Sequence, residues 1–208
     1  MAVRFRAPSV ATGTLALLLA ITAMVAVSRA QDATPLPLAL DTARVTLAGT
    51  SNIHDYTATT STVRLTSARL VQPVADANGL VAPGAVEGFE VAVPAATLVS
   101  DKDGLNKNMH KALRADKHPN IVFRLARIEA AAGGALKAVG TLQIAGQTKE
   151  MAFDLTTERQ ASSLKISGRT NLLMTDFGIA PPKAMLGMLK TDPKVTVTFE
   201  ALLSLPRT

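Results

Sequence analysis

From Ala43 onward, apolar and polar residues alternate in short runs punctuated by turn formers. In 43–50 (ARVTLAGT), Val45 and Leu47 share one face, the period of two that marks a half-buried strand. Residues 56–71 (YTATTSTVRLTSARLV) are rich in Thr and Val and read as one long strand or a strand with a bend. In 87–94, Phe89, Val91 and Val93 alternate with Glu90 and Ala92; in 120–130, Ile121, Phe123 and Leu125 stand opposite Arg124. Gly133-Gly134 marks a turn into 135–146, and Gly146-Gln147 a turn into 148–158, where Met151, Phe153 and Leu155 share a face. Strands over 163–178 and 194–205, the last with Val195, Val197 and Phe199 in phase, bring the expected total to eight.

Two stretches have helical spacing instead. In 104–116, Leu105, Met109, Ala112 and Leu113 recur at helical intervals behind Asp103, a plausible N-cap. Residues 183–190, after Pro181-Pro182, predict a shorter turn of helix. Pro73, Asn78, Gly79, Pro83 and Gly84 make 72–86 a loop, and Pro35 and Pro37 make 31–42 an irregular lead-in. No repeat and no low-complexity linker divides the remainder, so 43–206 reads as one domain.

The expected class is all-β with one or two short helices. Eight mostly antiparallel strands tend to close into a barrel, because closure removes exposed edges. Such a barrel is just wide enough to be filled by side chains or to hold one small ligand. After residue 30 the chain has only six aromatics, five Phe and one Tyr, amid abundant Ala, Val, Thr and Leu. Small apolar side chains favour a hollow interior; the same composition is compatible with a solid core, and the sequence leaves both open.

Residues 1–30 differ from the rest. Arg4 and Arg6 precede an apolar run from Leu15 to Val27, and Ser28-Arg29-Ala30 ends it with small residues at the first and third places. That is the layout of a secretory signal peptide cleaved after Ala30, which places the protein in the periplasm or, alternatively, the medium. Three of the 22 basic residues and none of the 16 acidic ones belong to this segment, leaving 19 against 16. A nucleic-acid binder needs a stronger basic stripe than that. With no cysteine, disulfides, thiolate metal sites and cysteine catalysis are excluded.

Residues able to carry chemistry are few. The histidines are His54, His110 and His118, and no pair has the spacing of zinc ligands on one helical face. A site assembled from all three through space is the remaining route to a metal. Ser51, His54 and Asp55 offer a nucleophile, a base and an acid, but residues this close in sequence rarely reach triad geometry. Their other reading is that they satisfy the backbone of a turn. Lys102, Lys107, Lys111, Arg114 and Lys117 give the helical segment a small basic excess that could attract anionic head groups or simply form a solvated face.

Four segments resemble the YceI-like family of exported bacterial proteins. The first is GTSNIHDYTATT (49–60), similar to the family's opening hairpin. LNKNMHKALRADKHPNIVFRL (105–125) resembles its helix and following strand entry at His118, Pro119, Ile121 and Phe123. VGTLQIAGQTKEMAFDL (139–155) resembles its hairpin at Gly140, Leu142, Ile144, Gly146, Thr148 and Lys149, and TDFGIAPP (175–182) its stretch before the last strand. The resemblance implies an extended, lipocalin-like antiparallel barrel whose relatives are associated with long isoprenoid lipids held in an apolar tunnel.

The expected function is therefore non-catalytic binding, sequestration or transport of an amphiphilic, isoprenoid-like lipid, with no cofactor and no metal. Alternation assigns the tunnel lining to Phe89, Val91, Ile121, Phe123, Leu142, Ile144, Met151, Phe153, Ile166, Leu172 and Val197. A slip of one residue in any strand would turn its set outward. His54 and the methionines Met174, Met185 and Met188 are candidates for the tunnel mouth, the latter as pliable apolar contacts. The alternatives are a packed accessory or stress protein acting through a protein partner and, at lower weight, a hydrolase or metal enzyme.

Overall fold

The computed structural model describes residues 36–70, 80, 85–160, 162–184 and 188–204. The signal-like segment 1–30, most of the loop 72–86 and Met185 lie outside these residues. Eleven strands are present among the described residues: β1 (Leu36–Pro37), β2 (Ala39–Ser51), β3 (Tyr56–Thr60), β4 (Arg64–Leu70), β5 (Val86–Pro94), β6 (Asn120–Ala130), β7 (Leu136–Ile144), β8 (Gln147–Gln160), β9 (Ser163–Leu173), β10 (Lys183–Ala184) and β11 (Leu189–Ser204). One α-helix, α1 (Asp103–Ala112), joins β5 to β6. The strands pair antiparallel in the order β1-β4-β5-β6-β7-β8-β9-β11-β2-β3, with β10 against β11.

The sheet curls into a barrel. Its last strand, β3, meets the segment that leaves β5: Thr59 N donates to Val99 O (2.8 Å) and Val99 N to Thr59 O (3.0 Å). Beside that bridge the buried Thr60 hydroxyl lies 2.8 Å from that of Thr97. These bonds occupy backbone groups that an open edge would expose.

The stretch 56–71 is two strands, because the chain crosses the barrel's seam at residues 61–63. β3 belongs to one side of the seam and β4 to the other, so nine strands longer than two residues replace the expected eight. The lead-in is also partly strand. Pro37 pairs with Arg69 in β1, at the sheet's edge, where a missing N–H leaves no ladder bond unmade.

The helix expected over 183–190 does not form. Lys183 and Ala184 pair with Lys190 and Leu189 as a β-hairpin, following Pro181-Pro182, which bias the chain toward extended backbone. The Asn52 side chain, just past the end of the neighbouring strand β2, fixes this pairing by donating to Met188 O (2.8 Å) and accepting from Lys190 N (2.7 Å). β9 ends at Leu173, and a 3-10 turn, Met174–Phe177, replaces the expected continuation to 178. In α1 the cap position is Lys102, while Asp103 lies in the first turn, where its charge complements the helix dipole.

The β7–β8 turn is one residue earlier than its glycine suggested. Ile144 pairs with Gln147, and the two linking residues, Ala145 (φ 50°) and Gly146 (φ 84°), both have positive φ. That is the left-handed two-residue geometry that suits the twist of a hairpin.

Candidate functional site

Strand alternation turns one set of side chains toward the barrel axis, and they do not fill it. A cavity of about 540 Å³ remains, with an almost wholly hydrocarbon wall. Phe89, Val91, Ile121, Phe123, Leu142, Ile144, Phe153, Ile166, Leu172 and Val197 all line it. Met151 is not among the lining residues; it is half-buried and packs against the hydrophobic cluster. Phe89, Val91, Ile121, Phe123, Ile166 and Val197 point inward yet are only half-buried. Inward-facing side chains keep accessible surface where nothing packs against them.

All six aromatics after residue 30 line this space: Tyr56, Phe89, Phe123, Phe153, Phe177 and Phe199. Phe153 meets Phe123 edge-on at a centroid distance of 4.9 Å and Phe199 at 6.1 Å, arrangements favoured by the ring quadrupole. Two glycines make room for this chain. A Cβ on Gly168, directly across from Phe199, would strike that ring and the Asp154 carbonyl. One on Gly140 would strike the Phe123 ring and the Arg124 carbonyl.

The two ends of the cavity differ. Leu38, Leu40, Leu164 and Leu203 wall the end where β2 and β9 begin and β11 finishes. At the opposite end α1 contributes Leu105, Met109 and Ala112, all half-buried. No residue of α1 is buried. Polar links hold it: Asn106 Oδ1 accepts from Ser100 N (2.7 Å) and Oγ (2.9 Å), Asn106 Nδ2 donates to Ser100 O (3.1 Å), and His110 Nε2 lies 2.7 Å from Leu98 O. Most of the polar lining also gathers at the helix end, in Ser51, His54, Tyr56, Lys102, Asn108 and Thr191.

Ser51, His54 and Asp55 form a turn, not a catalytic relay. Ser51 Oγ donates to the backbone oxygen of His54 (2.8 Å) and accepts from the N–H groups of Ile53 (3.3 Å) and His54 (3.1 Å). The hydroxyl is thus committed to the backbone, and the structure gives it no bond to the imidazole. His54 and Asp55 are exposed. The three histidines are apart: His110 binds the Leu98 carbonyl, and the His118 ring occupies the place of a Gly146 side chain. Among the described residues no three His, Asp or Glu side chains gather as metal ligands.

Of the residues considered for the mouth, His54 and Met174 line the cavity, Met188 is exposed and outside the lining, and Met185 lies outside the described residues. Lys102, Lys107, Lys111, Arg114 and Lys117 are all exposed, and of these only Lys102 reaches the lining. Tyr56 was not singled out by the sequence reading. Its phenol is pushed above its usual pKa of 10.0 by burial and then by the charge of Asp192, so it is neutral at ordinary pH.

An antiparallel barrel wrapped around an apolar hollow, with one helix across an end, defines a lipocalin-like barrel. The chain belongs to the YceI-like domain family, whose sequence model matches residues 38–203. Solved structures share the fold. BcnA of Burkholderia cenocepacia is 13% identical, with a TM-score of 0.63 over 78% of this chain and 96% of its own. A polyisoprenoid binding domain from Saccharophagus degradans, implicated in plant cell wall breakdown, is 13% identical, with a TM-score of 0.60 over 82% of this chain and 99% of its own. The YCEI protein of Campylobacter jejuni is 16% identical, with a TM-score of 0.51 over 70% and 85%. Among curated proteins none matches this sequence.

Proposed function

We propose that this protein is a non-catalytic carrier that shelters the apolar tail of an amphiphilic, isoprenoid-like lipid in the bacterial envelope. The observation that carries the reading is the cavity of about 540 Å³ walled by hydrocarbon. Its volume falls within the range of ligand pockets, roughly 300–1,000 Å³. Burying a tail there gains about 25 cal/mol for each Å² of apolar surface removed from water, without any strong polar contact. The family membership and the polyisoprenoid binding domain among its structural neighbours support the same ligand class. The signal-like segment 1–30 supports export, with the periplasm as the working compartment. Commitment of the Ser51 hydroxyl to a turn supports a binding role over hydrolysis.

Organic extraction of the purified protein followed by mass spectrometry tests the proposal. About one lipid per chain is expected, or retention of an added isoprenoid through gel filtration. A protein that yields no lipid and retains none overturns it.

A further inference from the structure

Tyr56, the chain's single tyrosine, opens β3 directly opposite Gly49. A Cβ on Gly49 would collide with the Tyr56 ring and hydroxyl, so the absence of a side chain there lets the ring lie against the barrel wall. The residue lines the cavity. Its Oη is buried and has no hydrogen-bond partner among the described residues. Buried hydroxyls are nearly always paired, and one left unpaired has lost its water without compensation. Nearby Ser51 cannot take its place, because the turn backbone already uses that hydroxyl.

We infer that the Tyr56 hydroxyl anchors the polar end of the bound lipid, donating to an uncharged acceptor such as a ketone, ester or ether oxygen, while the tail runs toward Leu38 and Leu203. This rests on the carrier reading above. The preference for an uncharged group follows from the surroundings. Burial, the larger cause of the raised phenol pKa, acts against a negative charge there and likewise against an anionic ligand group placed beside it; the exposed Asp192 adds to this more weakly. Lys102 lines the same end but is exposed, so its charge is largely screened by water.

The test measures binding of three tritiated probes to the full chain and to Tyr56→Phe. These are farnesylacetone (an isoprenoid ketone), the hydrocarbon of the same skeleton without oxygen, and farnesyl phosphate. One hydrogen bond predicts that the ketone binds roughly three- to tenfold tighter than the hydrocarbon. In Tyr56→Phe that ratio should fall to one or below, because the ketone oxygen then leaves water without gaining a donor, and the phosphate should bind the native chain more weakly than the ketone.

With no tryptophan and one tyrosine, the ultraviolet phenolate titration reports on this site alone. The ketone should move its midpoint further upward than the hydrocarbon does, because a hydrogen bond from the neutral phenol opposes ionisation. A ketone-to-hydrocarbon ratio unchanged by Tyr56→Phe, or a phosphate that binds best, overturns the inference and leaves the carrier reading standing. Failure of the hydrocarbon and the ketone alike to bind overturns both.

Discussion

Gly168 and Phe199 show how single residues shape the interior. They face each other across β9 and β11, and the ring takes the space that a Gly168 side chain would need. Gly168→Ala should therefore destabilise the protein by about 1–3 kcal/mol through overpacking, lowering Tm by several degrees for a domain of this size. Combining it with Phe199→Leu should recover part of the loss, and a thermal-melt double-mutant cycle would measure that coupling. A loss in the double variant equal to the sum of the two single losses would show that the ring does not impose the glycine. Alternation in the sequence was enough to place Phe153 and Phe199 on an inward face. It could not show that rings lie over Gly49, Gly140 and Gly168, because those contacts depend on which strands become neighbours. Tyr56 was missed for that reason: its partner Gly49 becomes visible only once β2 and β3 are paired in register.

At the scale of elements, α1 is the least anchored part of the cavity wall. It buries no side chain fully, and the Ser100–Asn106 and Leu98–His110 bonds tie it to the chain just before it. Segments with few buried contacts open at lower free energy than the global fold. Asn106→Ala should accordingly raise amide exchange in 103–113 severalfold while β6 to β9 keep their protection. Hydrogen exchange read by mass spectrometry checks this, and uniform deprotection of the barrel would count against a locally tethered helix. Leu105, Met109, Ala112 and Leu113 made this helix legible in the sequence. The pairing of Lys183 and Ala184 with Lys190 and Leu189 was not legible, since it depends on contacts with Asn52, a residue more than a hundred positions away in sequence. The break between β3 and β4 escaped for a related reason. Thr- and Val-rich composition favours strand throughout 56–71, whereas the location of the seam is a property of the closed barrel.

For the whole molecule, the volume enclosed sets what can be carried. At about 30 Å³ per heavy atom, the share of a water molecule in its liquid, the 540 Å³ cavity holds roughly 20 atoms. Each methylene buried adds about 0.8 kcal/mol, or roughly fourfold in affinity. Across a series of isoprenoid alcohols, affinity should climb steeply up to about 20 carbons and then level off, because further units remain in water. Composition alone left a hollow and a solid interior equally open, so this ceiling could come only from the packed barrel. Equilibrium binding across the series locates the break in slope. Filling the same space from the wall, as Ile166→Trp would, should move the break to shorter tails by a few carbons while the initial slope per carbon stays the same. A slope that persists well past 20 carbons would mean that the barrel expands around its ligand, and a series with no dependence on length would mean that the tail binds elsewhere.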